Sequence, residues 1–505
     1  MFPQFDKLIE SDFDQNSGLL SEAGVSDAAQ ATRSLMRLRQ AFENCQSSEH
    51  PNVDPQWYKT LMRVLLEAPL PGNVVHTVDQ FVARSKSALE AFSLFKNTPR
   101  SLEVIGRLAC GSPFLTQTLL NQPSALRDLT AERRTAEMKS RNEFLDEAQE
   151  LSGPCESLVE KLSALRRYQR REILRIGMCD AFGLLDLKFV TLQISLLADA
   201  MVQVCLKIVC DNAKIDEPPF SVLALGKHGG EELNYSSDID LILVADKSSA
   251  TAQRVARQLI DALSDNLSSG FLYRVDMRLR PWGDAGPLVT TPGSYEQYLL
   301  SDAELWEKQA LLKARVIAGD TRPGIDLLKR LPAVLYKASS EDIFDSIRRM
   351  KGYIEDRLRK AGKLAFEVKL GAGSIRDIEF LVQALQLTHG NAEPRLASAN
   401  TLDALVRLAE FGILNATEYR QLREGYIFLR TIEHALQLLH NQQTHELPAD
   451  PEQRIWLARR LDYPNESVLL TRFEEHRRAV RAIFDEYVHM PSTLADSNTV
   501  SQTAA

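Results

Sequence analysis

Two aspartates one residue apart, at the mouth of an apolar run, limit this chain more than any other feature. Asp238 and Asp240 flank Ile239 where the run Ile239–Val244 begins. Residues two apart on a strand share a face, about 6–7 Å from one another along it. The two carboxylates therefore aim at one place, while Ile239 and Leu241 turn towards a core. Upstream stands Gly226-Lys227-His228-Gly229-Gly230, where the glycines permit a tight turn. A strand, a glycine turn and a second strand demand at least a small sheet.

Around that sheet the pattern is helical. From Trp57 to about Asp211 apolar residues recur at helical spacing, as in Leu192, Leu196, Ala200 and Val204. Ser221–Leu225 reads as the first strand, Ile239–Val244 as the second, and Leu272–Leu279 as the third. Residues 252–266 between them form a helix with Val255, Leu259, Ala262 and Leu263 inward. That helix is expected to cover one sheet face and leave the other for ligand. After Pro323 the chain turns helical again. Ser339 and Asp342 suggest a capping box before Ile343, Ile347, Ile354 and Leu358. Leu422, Tyr426, Leu429, Leu436 and Leu439 mark a long amphipathic helix stopped by Pro448. The fold class expected is α+β, predominantly helical, with a small mixed-sheet domain followed by a helical bundle domain.

At 505 residues the chain exceeds one typical core. The divisions expected are an N-terminal helical region over 1–95, a sheet-bearing domain with a helical extension over 96–330, a helical domain over 331–490, and a disordered tail over 491–505. The net charge of −8 argues against life on long nucleic acid. Six scattered cysteines lack metal-ligand spacing and read as free thiols of a reducing cytoplasm. No signal core is visible, and no run is expected to be long enough to cross a bilayer; a cytoplasmic protein is expected.

The chemistry is that of phosphate and metal. Repulsion between Asp238 and Asp240 is relieved by a divalent cation, and Mg²⁺ takes a few carboxylate oxygens while keeping positions for water and phosphate. Asp276, in Arg274-Val-Asp-Met-Arg-Leu-Arg-Pro281, is the candidate third ligand of a two-ion site. Strand alternation places Arg274, Asp276, Arg278 and Arg280 on one face, which suits a phosphate-filled cleft. Gly226, Gly229 and Gly230 are expected to cradle phosphate with backbone N–H groups, helped by Lys227. The turn fits neither the Walker pattern nor the dinucleotide fingerprint. Attack of an oxygen on an α-phosphorus is the reaction implied. His228 reads as a surface histidine, and His434 and His440 as structural or solvated.

The match can be carried further. Gly-Lys-x-Gly-Gly-x-Glu-Leu-x-Tyr-x-Ser-Asp-x-Asp-Leu, Val-Asp-x-Arg-Leu-Arg-Pro, Trp306-Glu-x-Gln-Ala-Leu-x-Lys-Ala-Arg315 and Lys369-Leu-Gly-Ala-Gly-Ser-Ile-Arg-Asp-Ile-Glu-Phe-Leu-Val-Gln383 stand in this order. Together with Arg171–Asp180 they resemble the glutamine synthetase adenylyltransferase/deadenylylase family, within the DNA polymerase beta nucleotidyltransferase superfamily. The resemblance covers roughly residues 100–490. It implies a polymerase-beta-like catalytic domain, Mg²⁺ (two ions) on Asp238, Asp240 and Asp276, and nucleotide or phosphate on Gly226, Lys227, Gly229, Gly230, Ser237, Arg278, Arg280, Lys313 and Arg315. Lys313 and Arg315 are expected two apart on a helix, diverging by about 200°. Arg376 and Glu379, one helical turn apart, suit an ion pair as well as a substrate role. The chain departs from the family pattern at Gly373-Ser374 and at His228.

That family carries two catalytic halves in a longer chain, and this sequence has one. Asn234 with Ser236-Ser237-Asp238-Ile239, Met277, and Leu370-Gly-Ala-Gly373 are more similar to the N-terminal half, which removes AMP from a glutamine synthetase tyrosine with phosphate and releases ADP. The partners implied are glutamine synthetase, ATP, ADP and phosphate, and the signal protein PII, with no nucleic acid and no membrane. Two alternatives stay open: AMP addition from ATP, and a non-catalytic nucleotide-sensing module.

Overall fold

The computed structural model describes residues 13–22, 25, 27–45, 56–131, 136–265, 270–440 and 444–489. The tail expected over 491–505 and the side chain of His440 lie outside them. The chain divides into two compact units that alternate along the sequence. One comprises Met1–Met138, Arg170–Asp186 and Leu438–Gln442; the other comprises Lys139–Gln169, Leu187–Gln437 and Gln443–Ala505.

The first unit is helical throughout its regular elements. Its core holds an aromatic cluster, with Trp57 and Phe92 centroids 4.9 Å apart and Phe42 edge-on to Phe92 at 5.3 Å. Ser112 caps the helix Pro113–Asn121 by accepting from the Leu115 N–H, and its hydroxyl donates to the Leu438 carbonyl at 2.9 Å.

The second unit holds the sheet. Its strands are β1 (Ser221–Leu225), β2 (Ile239–Val244), β3 (Val275–Asp276), β4 (Val289–Thr290) and β5 (Arg315–Gly319). β1 pairs antiparallel with β2 on one side and β5 on the other, and β3 and β4 follow each other in parallel along the outer edge of β2. The first two strands match the sequence reading. The third is two residues long instead of eight, and β4 and β5 were not anticipated. β5 lies beyond the 220–290 region where strands were expected.

Seven helices of this unit matter below: α1 (Leu187–Asn212), α2 (Ala250–Ser264), α3 (Leu305–Ala310), α4 (Thr321–Arg330), α5 (Ser340–Lys360), α6 (Ile375–His389) and α7 (Ala416–His440). Ser249 caps α2, which buries Val255, Leu259, Ala262 and Leu263 as expected. Ser339 caps α5 through the Asp342 N–H and donates its hydroxyl to the Asp342 carboxylate. Both faces of the sheet are buried, so neither is left for ligand. Leu223, Leu225, Ile242 and Val244 join the core that includes Tyr295, Leu327 and Ile378. On the other face Val222, Ala224, Leu241 and Leu243 are equally buried, with α1 packed on β5 and α2. Ligand access is confined to the end of the sheet, where β1 stops and β2 and β3 begin.

α1 corrects the membrane expectation, since by length and composition it could cross a bilayer. In the fold most of it is buried against protein, and Asp199 at its middle is fixed by His228 and Arg315.

Candidate functional site

A cavity of about 370 Å³ opens at that end of the sheet, within the size range of small-molecule sites. Asp238, Asp240 and Asp276 all line it. Asp240 and Asp276 stand side by side in the parallel register of β2 and β3, and Asp240 lies opposite Leu225 at the end of β1. Asp238 sits in the loop leading into β2, where Arg274 grips its carboxylate and also donates to the Ser236 carbonyl. Arg278 holds Asp276, with Nη2 2.5 Å from Oδ2. Among the described residues no arginine forms such a pair with Asp240. Burial, followed by Asp276 and Asp238 and opposed by Lys369, pushes its pKa up to about 7.

The glycine turn is a one-turn helix, Gly226–Gly229. Gly226 takes a φ of +54°, and a Cβ there would collide with Asp240 Oδ2. It therefore brings backbone against the central carboxylate. Gly229 and Gly230 do not face the cavity. A Cβ on the first would strike the Lys313 and Ala224 carbonyls, and on the second the Ala399 carbonyl at 2.7 Å. The Gly230 N–H is spent on Gly226 O at 3.1 Å. These two glycines serve close packing, and the expected backbone cradle is not formed by them.

The cations divide sharply. Lys227 lines the cavity, but its Nζ is 2.6 Å from Glu433 Oε1. Lys313 also lines it, with Nζ 2.5 Å from Glu232 and 3.1 Å from Thr401 Oγ1. Lys313 closes a 3₁₀ turn and Arg315 opens β5, so the helix expected to carry both is absent. Arg315 is turned away, onto Asp199 (2.5 Å) and the carbonyls of His228 and Gly229. Arg280 does not line the cavity either. It is buried, and its guanidinium donates to the Met277 carbonyl at 2.9 Å. The cause is local: the Asp276 carboxylate accepts from the Arg278 N–H at 2.9 Å, which turns the chain and ends the strand alternation. Ser237 lines the cavity while its Oγ accepts from the Asn234 N–H at 3.0 Å.

His228 is fully buried, contrary to the surface reading, with Nε2 2.8 Å from Asp199 Oδ1. Burial raises the Asp199 pKa, but His228 and Arg315 outweigh it and hold the carboxyl below its usual range. His434 is buried on α7. Arg376 and Glu379 form their ion pair at 3.5 Å, and both also line the cavity.

Apart from Arg376 and Glu379, the lining residues on two helices carry no role in the sequence reading. Trp306, Gln309 and Ala310 come from one face of α3, and Arg376, Glu379, Phe380 and Gln383 from one face of α6. Spacings of 0, 3, 4 and 7 were the available signal. Glu433 lies fully buried in the apolar stripe of α7, between Leu429 and Leu436. Burial raises its pKa, but Lys227, then His445 and Arg430, drive it well below the carboxylate range. Lys369 lines the cavity and has no carboxylate partner among the described residues.

Oxygen donors of this kind suit a hard divalent ion. Among the described residues no three acidic, histidine or cysteine side chains are already gathered at coordinating spacing, because arginines hold Asp238 and Asp276. The carboxylates nevertheless fit such an ion. A cation beside Asp240 would relieve the repulsion that raises its pKa, and Arg274 and Arg278 are exposed enough to swing aside.

Comparison with known proteins adds the following. Residues 102–330 match the family described as glutamate-ammonia ligase adenylyltransferase, and residues 347–488 match GlnD PII-uridylyltransferase. The chain is 35% identical over 450 residues to the bifunctional glutamine synthetase adenylyltransferase/adenylyl-removing enzyme of Nitrosococcus oceani, an alignment spanning 84% of this chain and 46% of that protein. The chain thus spans about half the length of the curated relative it matches.

Proposed function

Because the chain belongs to the glutamine synthetase adenylyltransferase/adenylyl-removing enzyme family, we propose that it is a metal-dependent nucleotidyltransferase that removes AMP from an adenylylated tyrosine of glutamine synthetase. The observation that carries this reading is the convergence of Asp238, Asp240 and Asp276 on one cavity, where burial, then the adjacent carboxylates, lift the pKa of the central carboxyl to about 7. These three would hold Mg²⁺, two ions in this reading, which supplies charge neutralisation at the reacting phosphoryl group.

The chain's own residues do the rest. Lys369 and Arg376 line the same cavity as the carboxylates and suit the incoming phosphate, as does Arg278 when it swings from Asp276. A phosphate oxygen attacks the AMP phosphorus, the bond from phosphorus to the tyrosyl oxygen breaks, and the phenolate leaves to take a proton. ADP and an unmodified tyrosine side chain result. The direction rests on the similarity of Asn234, Met277 and Leu370–Gly373 to the removing half. The segment 96–330 acts as the catalytic domain in this reading, after a helical region over 1–95 and before a helical domain over 331–490. The match of residues 347–488 to a PII-uridylyltransferase supports PII as an effector. A cytoplasmic site of action follows from these partners.

The test is a paired assay on one glutamine synthetase preparation, with phosphate-driven release of ADP set against ATP-driven addition of labelled AMP. ADP release that disappears in Asp238→Ala is expected. Addition without release would reverse the direction. Neither activity, with wild type equal to the variant, would refute catalysis.

A further inference from the structure

The cavity has a second character away from its carboxylates. Trp306 on α3 lines the cavity and is 44% exposed, so its side chain is not packed away and can meet a ligand there. One turn along the same helix, Gln309 donates from Nε2 to Gln383 Oε1 of α6 at 2.7 Å. No other side-chain bond is formed by this amide pair among the described residues. Gln309 Oε1 and Gln383 Nε2 are left as an acceptor and a donor in a wall that also contains Met350 and Phe380.

α6 orders the two characters along one axis. Arg376 lies in its first turn, at the positive end of the helix dipole. Gln383 lies seven residues on, about 10 Å further at ~1.5 Å per residue. A ligand laid along this face meets a cation at one end, and an aromatic ring with an amide pair at the other. Nucleoside diphosphates have that layout. An aromatic face stacks a base, and a glutamine amide reads the paired donor and acceptor of an adenine edge.

We propose that Trp306 stacks the nucleobase of the nucleotide product or substrate and that the Gln309–Gln383 pair selects adenine. This rests on the nucleotidyltransferase reading above and adds the base-binding part of the site. Inorganic phosphate, which has no base, is not expected to sense Trp306.

The experiment is equilibrium titration of the full chain with Mg²⁺ and ADP, GDP or inorganic phosphate, followed by tryptophan fluorescence and calorimetry. ADP is expected to quench wild type. Trp306→Phe should lose the quench while its calorimetric Kd changes only a few fold. Trp306→Ala should weaken ADP by about 5- to 150-fold, the range for loss of one stacked base, with phosphate affinity unchanged. Gln383→Leu should cut the preference for ADP over GDP about tenfold or more. ADP binding with Trp306→Ala indistinguishable from wild type would overturn the stacking role. Unaltered discrimination in Gln383→Leu would overturn the selective one. Wild type that binds neither ADP nor phosphate would instead refute the underlying functional reading.

Discussion

Asp240→Asn separates what the central carboxylate costs the fold from what it does for the reaction. Its pKa rises from 3.8 to about 7, through burial first and then Asp276 and Asp238, against the pull of Lys369. A carboxyl whose folded-state pKa exceeds its unfolded value binds more protons when native. Its contribution is therefore fully present below about pH 4 and is lost as pH rises through about 7. The interval corresponds to roughly 4 kcal/mol at about 1.36 kcal/mol per pH unit. Asp240 is partly exposed, and solvent screening brings the expectation down to about 2 kcal/mol. Without metal at pH 8, Asp240→Asn should thus melt higher than wild type by about 2–4 °C, while losing activity. The assay is differential scanning calorimetry from pH 4.5 to 8.5 in chelator, repeated with millimolar Mg²⁺. The gap between variant and wild type should widen up to about pH 7 and then level. Mg²⁺ should raise the wild-type melting temperature and leave the variant nearly unmoved. Parallel pH curves, or equal stabilisation of both proteins by Mg²⁺, would refute the reasoning.

Three further outcomes are expected. Gly226→Ala forces a side chain into a left-handed backbone and against Asp240; stability should drop by roughly 1–3 kcal/mol, with a larger fall in kcat than in KM. Glu433→Gln leaves Lys227 and Arg430 buried without their shared carboxylate and should cost about 3–5 kcal/mol in urea unfolding. Arg280→Met removes a buried donor to the Met277 carbonyl and should cost roughly 1–3 kcal/mol of stability, while KM for phosphate in a turnover assay stays within twofold.

The strand starts at Asp240 and Asp276 were legible because period-two alternation is a local rule, and Asp238 was legible as the residue just before β2. Partners chosen across long separations were not. Arg280 and Arg315 look like phosphate ligands in a linear pattern, yet the Asx turn at Asp276 and the buried Asp199 claim them. Nothing near Asp199 in the sequence announces a pairing with His228, which made a fully buried histidine read as a surface one. β3 was drawn too long because Arg-x-Asp-x-Arg-x-Arg alternates perfectly, and the turn that breaks it depends on one side-chain bond. Arg376, Glu379 and Gln383 were legible in principle as a polar stripe on the largely apolar α6, and Trp306 and Gln309 by their three-residue spacing on α3. Periodicity shows that such a stripe faces something, and only the fold shows that α3 and α6 face the same space.

The ion pair between Lys227 and Glu433 spans 206 positions, from the segment matched to one family into the segment matched to another. Thr401 meets Glu232 and Lys313 across the same junction, and Arg430 meets Asn234. The two segments therefore have to change together. Replacing residues 347–488 by a segment without counterparts of Glu433 and Thr401 would leave Lys227 without its carboxylate and Glu232 with Lys313 alone, and such a chimaera should need compensating changes on both sides of the join before it regained a working cavity.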